Sequence, residues 1–110
     1  MEAKAIARFI RISPRKVGIV CELIRGKSVK QAEAILATTP KAAAEPLAKL
    51  VKSAAANAEN NHGMDPEKLY VSTCFVAPGP IMKRIRFVSR AGVHRIEKRT
   101  SHLTVAVSER

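Results

Sequence analysis

The sequence predicts an α+β domain. Three consecutive segments of helical periodicity, between residues 14 and 62, are preceded by one strand-like segment and followed by two more. Cap and stop signals separate the helical segments, and runs of good β-formers mark the later strands. With 110 residues, the chain is one domain with room for one real core.

Each element has its own justification. Residues 4–12 mix apolar and basic side chains and predict the first strand. Ser13-Pro14 supplies a helix N-cap with proline at the first helical position. Val17, Val20, Cys21 and Ile24 form the stripe of that first helix, widened by Ile19 and Leu23, and Arg25-Gly26 ends it. Ser28 and Gln31 make a capping box for a short second helix whose buried side is Val29, Ala32, Ile35 and Leu36. Thr39-Pro40 is expected to cap a third helix with the stripe Leu47, Leu50, Val51, Ala54, Ala55 and Ala58. The alanines let another backbone approach closely. Pro46 inside that helix removes one hydrogen bond and crowds the preceding turn, so the helix either kinks there or has a separate first turn. Asn60-Asn61-His62-Gly63 is a polar stop, and Asp65-Pro66 a turn. Leu69 to Val76 predicts a strand, and Ala77-Pro78-Gly79-Pro80 a bend that cannot continue an interior ladder. Lys98 to Val107 is the expected last strand, with Leu103, Val105 and Val107 alternating against Thr104 and Ala106.

The segment Lys83 to Arg99 stands apart. It holds seven cations and one acid, a net +6 out of a total of +11. Its apolar residues are too few to pack as a domain. It reads either as an extended hairpin turning near Ser89-Arg90-Ala91-Gly92, with Gly92 able to supply a positive φ, or as a disordered basic loop. As a hairpin, with legs of about ten residues continuing the flanking strands, it would reach ~30 Å at ~3.3 Å per residue. So concentrated a charge calls for a polyanion, because each cation that meets a phosphate releases a condensed counterion. A second basic signal is Arg15 and Lys16 in the first turn of the first helix, where the macrodipole disfavours cations. They read either as a solvated basic turn or, with Arg8 and Arg11 just upstream, as a place where a phosphate meets the free N–H groups.

Composition bounds the function. The sequence pI is near 10.4, which points to nucleic acid or an anionic membrane surface. No run approaches the ~20 apolar residues of a membrane span, and the start lacks an apolar stretch long enough for a secretory signal. Cys21 and Cys74, flanked by apolar residues, read as buried reduced thiols of a cytoplasmic-type protein. Aromatics are scarce: Phe9, Tyr70, Phe75 and Phe87. Phosphate and shape contacts are therefore expected, rather than base-by-base reading on a stacking platform. His62, His94 and His102 are scattered, and no nucleophile motif or glycine-rich phosphate loop exists. No enzyme activity, cofactor or metal is expected. A DNA-binding regulator is the alternative, with Gly26 between two helices, but its second helix offers only Lys30 and Gln31 as base readers. A membrane binder would need an amphipathic helix that the arm lacks.

Several motifs carry a resemblance. Ile12-Ser13-Pro14-Arg15-Lys16-Val17, Leu23-Ile24-Arg25-Gly26-Lys27, Ser53-Ala54-Ala55-Ala56-Asn57-Ala58-Glu59-Asn60-Asn61, Gly79-Pro80, Met82-Lys83-Arg84 and Lys98-Arg99-Thr100-Ser101-His102-Leu103-Thr104-Val105 occur in order over nearly the whole chain. Together they resemble the bacterial large-subunit ribosomal protein L twenty-two family. The resemblance implies three helices packed on a small three-stranded antiparallel sheet, with the basic segment as a long protruding β-hairpin. It implies a body of residues 1–78 and 99–110 and an arm of about 79–98. It implies a monomer within the cytoplasmic ribosome that binds large-subunit ribosomal RNA, with the hairpin tip in the peptide exit tunnel near the macrolide region. There it would meet the nascent peptide and the fourth large-subunit protein.

On this reading the RNA-binding residues are Arg8, Arg11, Ser13, Arg15, Lys16, Arg25, Lys27, Asn60, Asn61, Lys83, Arg84, Arg86, Arg95, Lys98, Arg99, Thr100, Ser101 and His102. The tunnel-facing residues are Ser89, Arg90, Ala91 and Gly92. The arm departs from the family pattern: Phe87 and Val88 stand where proline and arginine are usual, and His94 where an acid is.

Overall fold

The computed structural model describes residues 2–87, 89–90 and 92–109. In chain order the elements are β1 (Glu2–Ile10), α1 (Pro14–Ile24), α2 (Val29–Thr38), α3 (Ala44–His62), a 3-10 turn (Pro66–Lys68), β2 (Leu69–Pro78), β3 (Met82–Phe87), β4 (Val93–Lys98) and β5 (Ser101–Glu109). The architecture is α+β, as expected. A three-stranded sheet has the order β1-β5-β2, and β3 and β4 form a separate two-stranded sheet. Both ladders to β5, and the β3–β4 pair, are antiparallel.

One face of the large sheet carries the core. Ala3, Ala5, Val71, Cys74, Leu103, Val105 and Val107 meet Val17, Val20, Cys21, Ile24, Leu47, Leu50, Val51, Ala54 and Ala58. Helix α3 lies across β1 and β5, α1 lies on β2, and α2 packs on α3. The alanine positions of α3 bring the helix close to β1, and Asn57 Nδ2 donates to the Lys4 carbonyl at 3.0 Å. Fully burying each valine, leucine or isoleucine stabilises by about 1.5–3 kcal/mol, so this layer accounts for most of the body's stability.

The boundary signals act as the sequence predicts, with one exception in position. Ser28 Oγ accepts from the Gln31 N–H, and Gly26 takes φ 81° after α1. Gly63, at φ 64°, ends α3. The exception is the start of α3, which begins at Ala44 rather than at Thr39-Pro40. Residues 41–43 form a turn, with the Ala44 N–H donating to the Lys41 carbonyl. Pro46 is then the third helical residue, where an N–H has no intrahelical partner in any helix. It costs no hydrogen bond, and the helix runs on to His62.

The strand ends also differ from expectation. β1 stops at Ile10 after a bulge that places Phe9 at φ 59°. β2 continues to Pro78, paired with Ser101. Proline is tolerated there because β2 is an edge strand. The expected last strand is split: Lys98 belongs to β4, Arg99 and Thr100 turn the chain, and β5 starts at Ser101.

The basic segment is a hairpin, but its legs are six residues each and separate from the body sheet. At about 3.3 Å per residue the paired part is ~20 Å long. It makes the molecule elongated, 62 × 25 × 16 Å, with a radius of gyration of 16.9 Å, against about 13 Å for a compact chain of this size.

Candidate nucleic-acid interface

The arm leaves and re-enters the body at one place, and three hydrogen bonds fasten it there. The Gly79 N–H donates to the Thr100 carbonyl at 2.9 Å. Thr100 Oγ1 donates to the Pro80 carbonyl at 2.7 Å. Ser101 Oγ donates to the Ile12 carbonyl, tying the start of β5 to the loop before α1. Thr100 and Ser101 are buried. These two residues, expected as RNA ligands, turn their hydroxyls inward here and position the arm root.

Two more of the expected ligands have internal partners. His102 Nδ1 accepts the Phe9 N–H at 3.1 Å, and the two rings meet edge to face with centroids 5.0 Å apart. His102 thereby supports the left-handed Phe9 in the β1 bulge. Arg25 donates from Nε and Nη2 to the Cys74 carbonyl, at 3.1 and 2.7 Å, joining the end of α1 to β2. Cys21 and Cys74 are buried and free of disulfides. A hydrogen bond to Cys21, reinforced by burial, pushes the Cys74 thiol well above the usual thiol range.

The cations of the loop before α1 and of the arm root converge. Arg11, Ser13 and Lys16 line one cavity with Glu97, Lys98 and Arg99, backed by Ile12 and Ala42, with a volume of about 350 Å³. A neighbouring cavity is lined by Ser13, Pro14, Arg15, Pro78 and Arg99. Ser13 has extended backbone geometry, but its side chain makes no cap hydrogen bond, and no acid lies in the first turn of α1. Four cations thus line a concave site beside the N-terminus of α1, an arrangement suited to a phosphate. Glu97, the one acid of the segment, pairs with Arg99 at 2.7 Å. Arg8 is exposed on β1. Lys27 lies past the far end of α1, and Asn60 and Asn61 in the last turn of α3, so these three are not part of the cluster.

Register sorts the arm into two faces, because residues directly opposite in an antiparallel pair share a face. Met82↔Lys98, Arg84↔Ile96 and Arg86↔His94 alternate with Lys83↔Glu97, Ile85↔Arg95 and Phe87↔Val93. The first set carries most of the charge. Of the tip residues, Ser89 and Arg90 are exposed, Gly92 is half-buried and Ala91 lies outside the described residues. The expectation of a left-handed Gly92 involves that neighbour. The left-handed residue seen at the turn is Arg90, at φ 63°. The sequence places Gly79 in a bend and in a Gly79-Pro80 motif but does not announce its close contact with Thr100. Sequence reasoning also passed over the outward exposure of Ile85, Phe87 and Val93, which the alternation along β3 foreshadows.

Among the described residues no group of three or more His, Cys, Asp or Glu side chains is placed to hold a metal. No helix is long and apolar enough to cross a membrane. On α2, Lys30 is engaged with Glu67 at 2.6 Å, which takes away one of the two base readers that a DNA-binding helix pair would have had.

These features define a class: a small α+β body from which a basic two-stranded arm projects, with cations gathered at the joint. The family described as "Ribosomal protein L22p/L17e" matches residues 5–108, and the chain belongs to it. It is 57% identical over 112 residues to "Large ribosomal subunit protein uL22" of Desulforamulus reducens, covering 100% of this chain and 97% of that protein. The protein of that name from Clostridium perfringens is 54% identical over 110 residues, covering 100% and 99%. The one from Thermotoga sp. is 56% identical over 110 residues, covering 100% and 69%. The family is structural rather than enzymatic.

Proposed function

We propose that this protein is a structural constituent of the large ribosomal subunit in the cytoplasm, bound to large-subunit ribosomal RNA chiefly through phosphates. The observation that carries this reading is the meeting of Arg11, Lys16, Lys98 and Arg99 around one cavity at the N-terminus of α1, in a chain whose relatives are named as large-subunit proteins. Arg15 and the arm's Lys83, Arg84, Arg86 and Arg95 extend the contact outward, and Arg8, Lys27, Asn60 and Asn61 supply further contacts on the body. Arg25, Thr100, Ser101 and His102 hold the shape on which those contacts depend.

The finer part of the proposal follows the family resemblance. The hairpin runs into the peptide exit tunnel, and Ser89, Arg90, Ala91 and Gly92 lie on its wall near the macrolide region. There they meet the nascent peptide and the fourth large-subunit protein. The exposed, left-handed Arg90 at the turn fits such a position. Sedimentation of lysates from the source organism tests the broader claim: co-migration with large subunits supports it, and a free or nucleoid-bound pool defeats it.

A further inference from the structure

The second face of the arm ends in a cluster that phosphate binding leaves unused. Ile85, Phe87 and Val93 share that face at the distal end. They are 70%, 83% and 56% exposed. Single exposed apolar residues are ordinary. Three together on a two-stranded arm, covered by none of the described residues, form a surface. Phe87 is its most exposed member and the only aromatic residue of the segment.

The charge around this surface selects its occupant. Lys83 and Arg95 share the face with Glu97, which lies at the root end and pairs with Arg99, and Arg84 and Arg86 lie on the reverse. An apolar protein segment would have to approach a net +6 without compensating it. An unpaired nucleotide brings both chemistries: a flat π surface and a phosphate. Bases of any identity stack on an exposed aromatic ring, in arrangements that tolerate sequence. Arg95 is diagonal to Phe87 on the same face, about 7–8 Å away across the pair, where it can hold the phosphate of the stacked nucleotide.

We infer that Phe87, flanked by Ile85 and Val93, is a stacking platform for an unpaired nucleobase of the bound RNA. This inference rests on the RNA reading above and adds a base contact to an interface otherwise made of phosphates. It does not demand a particular base.

Salt dependence separates the two kinds of contact. The full-length protein is titrated with purified large-subunit ribosomal RNA over a range of salt concentrations, in parallel with Phe87→Leu, Phe87→Tyr and Arg86→Gln. Phe87→Leu keeps an apolar side chain and removes the ring. It should weaken binding roughly 5- to 100-fold at every salt concentration and leave the slope of log affinity against log salt unchanged. Phe87→Tyr should bind as the parent does. Arg86→Gln should flatten the slope by about one. The ring projects from the arm into solvent, so these variants fold. If Phe87→Leu binds like the parent, the platform is refuted while the RNA reading stands. If the parent does not bind this RNA at any salt concentration, the RNA reading falls and the platform with it. In assembled subunits, ultraviolet cross-linking of the peptide containing residue 87 to a nucleobase supports the inference. Cross-linking of that peptide to a protein segment overturns it in favour of protein docking.

Discussion

Gly79 shows how much one side chain can matter at the joint. A Cβ built there would stand 2.5 Å from Thr100 Oγ1 and 3.2 Å from the His102 ring. Thr100 cannot give way freely, since its hydroxyl is bonded to the Pro80 carbonyl. Gly79→Ala should therefore destabilise the protein by about 1–3 kcal/mol, measured by urea denaturation. Adding Thr100→Ala should recover part of the loss, because the clash and the hydroxyl disappear together, giving a coupling of at least ~0.5 kcal/mol in a double-mutant cycle. Strictly additive losses would mean that the contact is not the cause. Deeper in the body, Leu47 is fully buried between α3 and the sheet, and Leu47→Ala should cost about 2–5 kcal/mol. Cys21 and Cys74, at 0% and 1% exposure, should resist iodoacetamide in the folded protein and react on unfolding. Cys74 adds a second reason, since its hydrogen bond to Cys21 and its burial keep it protonated.

At the scale of elements, the arm and the helices should differ sharply in the free protein. The arm has one partner strand per leg and no core beneath it. Amide exchange should be fast across Met82–Phe87 and Val93–Lys98, and slow in α1 and α3, unless RNA is bound. Strong protection of Arg86 to Arg95 in isolation would contradict this.

Much of the element order was legible in the sequence because caps and stripes are local signals. Pro14, Ser28 with Gln31, Gly26 and Gly63 each act on their immediate neighbours and do what their positions predict, while Ser13 keeps the cap position without the cap hydrogen bond. The misread boundaries all depended on distant residues. Pro46 looks like a helix breaker until the turn at 41–43 is seen to move the start of α3. Pro78 looks like the end of a strand until β2 is known to be an edge. The inward roles of Thr100 and Ser101 depend on carbonyls of Pro80 and Ile12, and nothing within a few positions of Ser101 announces a bond to Ile12. The basic residues were identifiable by charge alone. Their division into a cavity cluster and two arm faces required the register.

For the whole molecule, the two ends of the 62 Å long axis should do different work. On the proposed function, cations at the joint anchor and the turn of the arm reaches elsewhere. Arg15→Glu with Arg99→Glu converts two phosphate attractions into repulsions, and subunits purified from such cells should contain less of this protein. Arg90→Glu should leave incorporation nearly intact and alter macrolide response or nascent-chain pausing. Equal loss from subunits in both variants would show that the turn anchors as well. Binding of the parent chain to ribosomal RNA should also weaken on the order of a thousandfold between low and moderate salt if about six to ten phosphates are engaged.

The strand order β1-β5-β2 has a consequence for biosynthesis. β1 and β2 share no backbone ladder, and each finds its partner in β5, the last strand to be translated. While the chain is being made, the sheet has no middle. The helices can form as they emerge, but Ala3, Ala5, Val71 and Cys74 have no strand to hold them in register until residues 101–109 arrive. The cavity at the joint must wait as well, because Arg11 and Lys16 come early and Lys98 and Arg99 late. A nascent chain therefore carries its cations long before it can arrange them, and the joint takes its shape only with the closing strand.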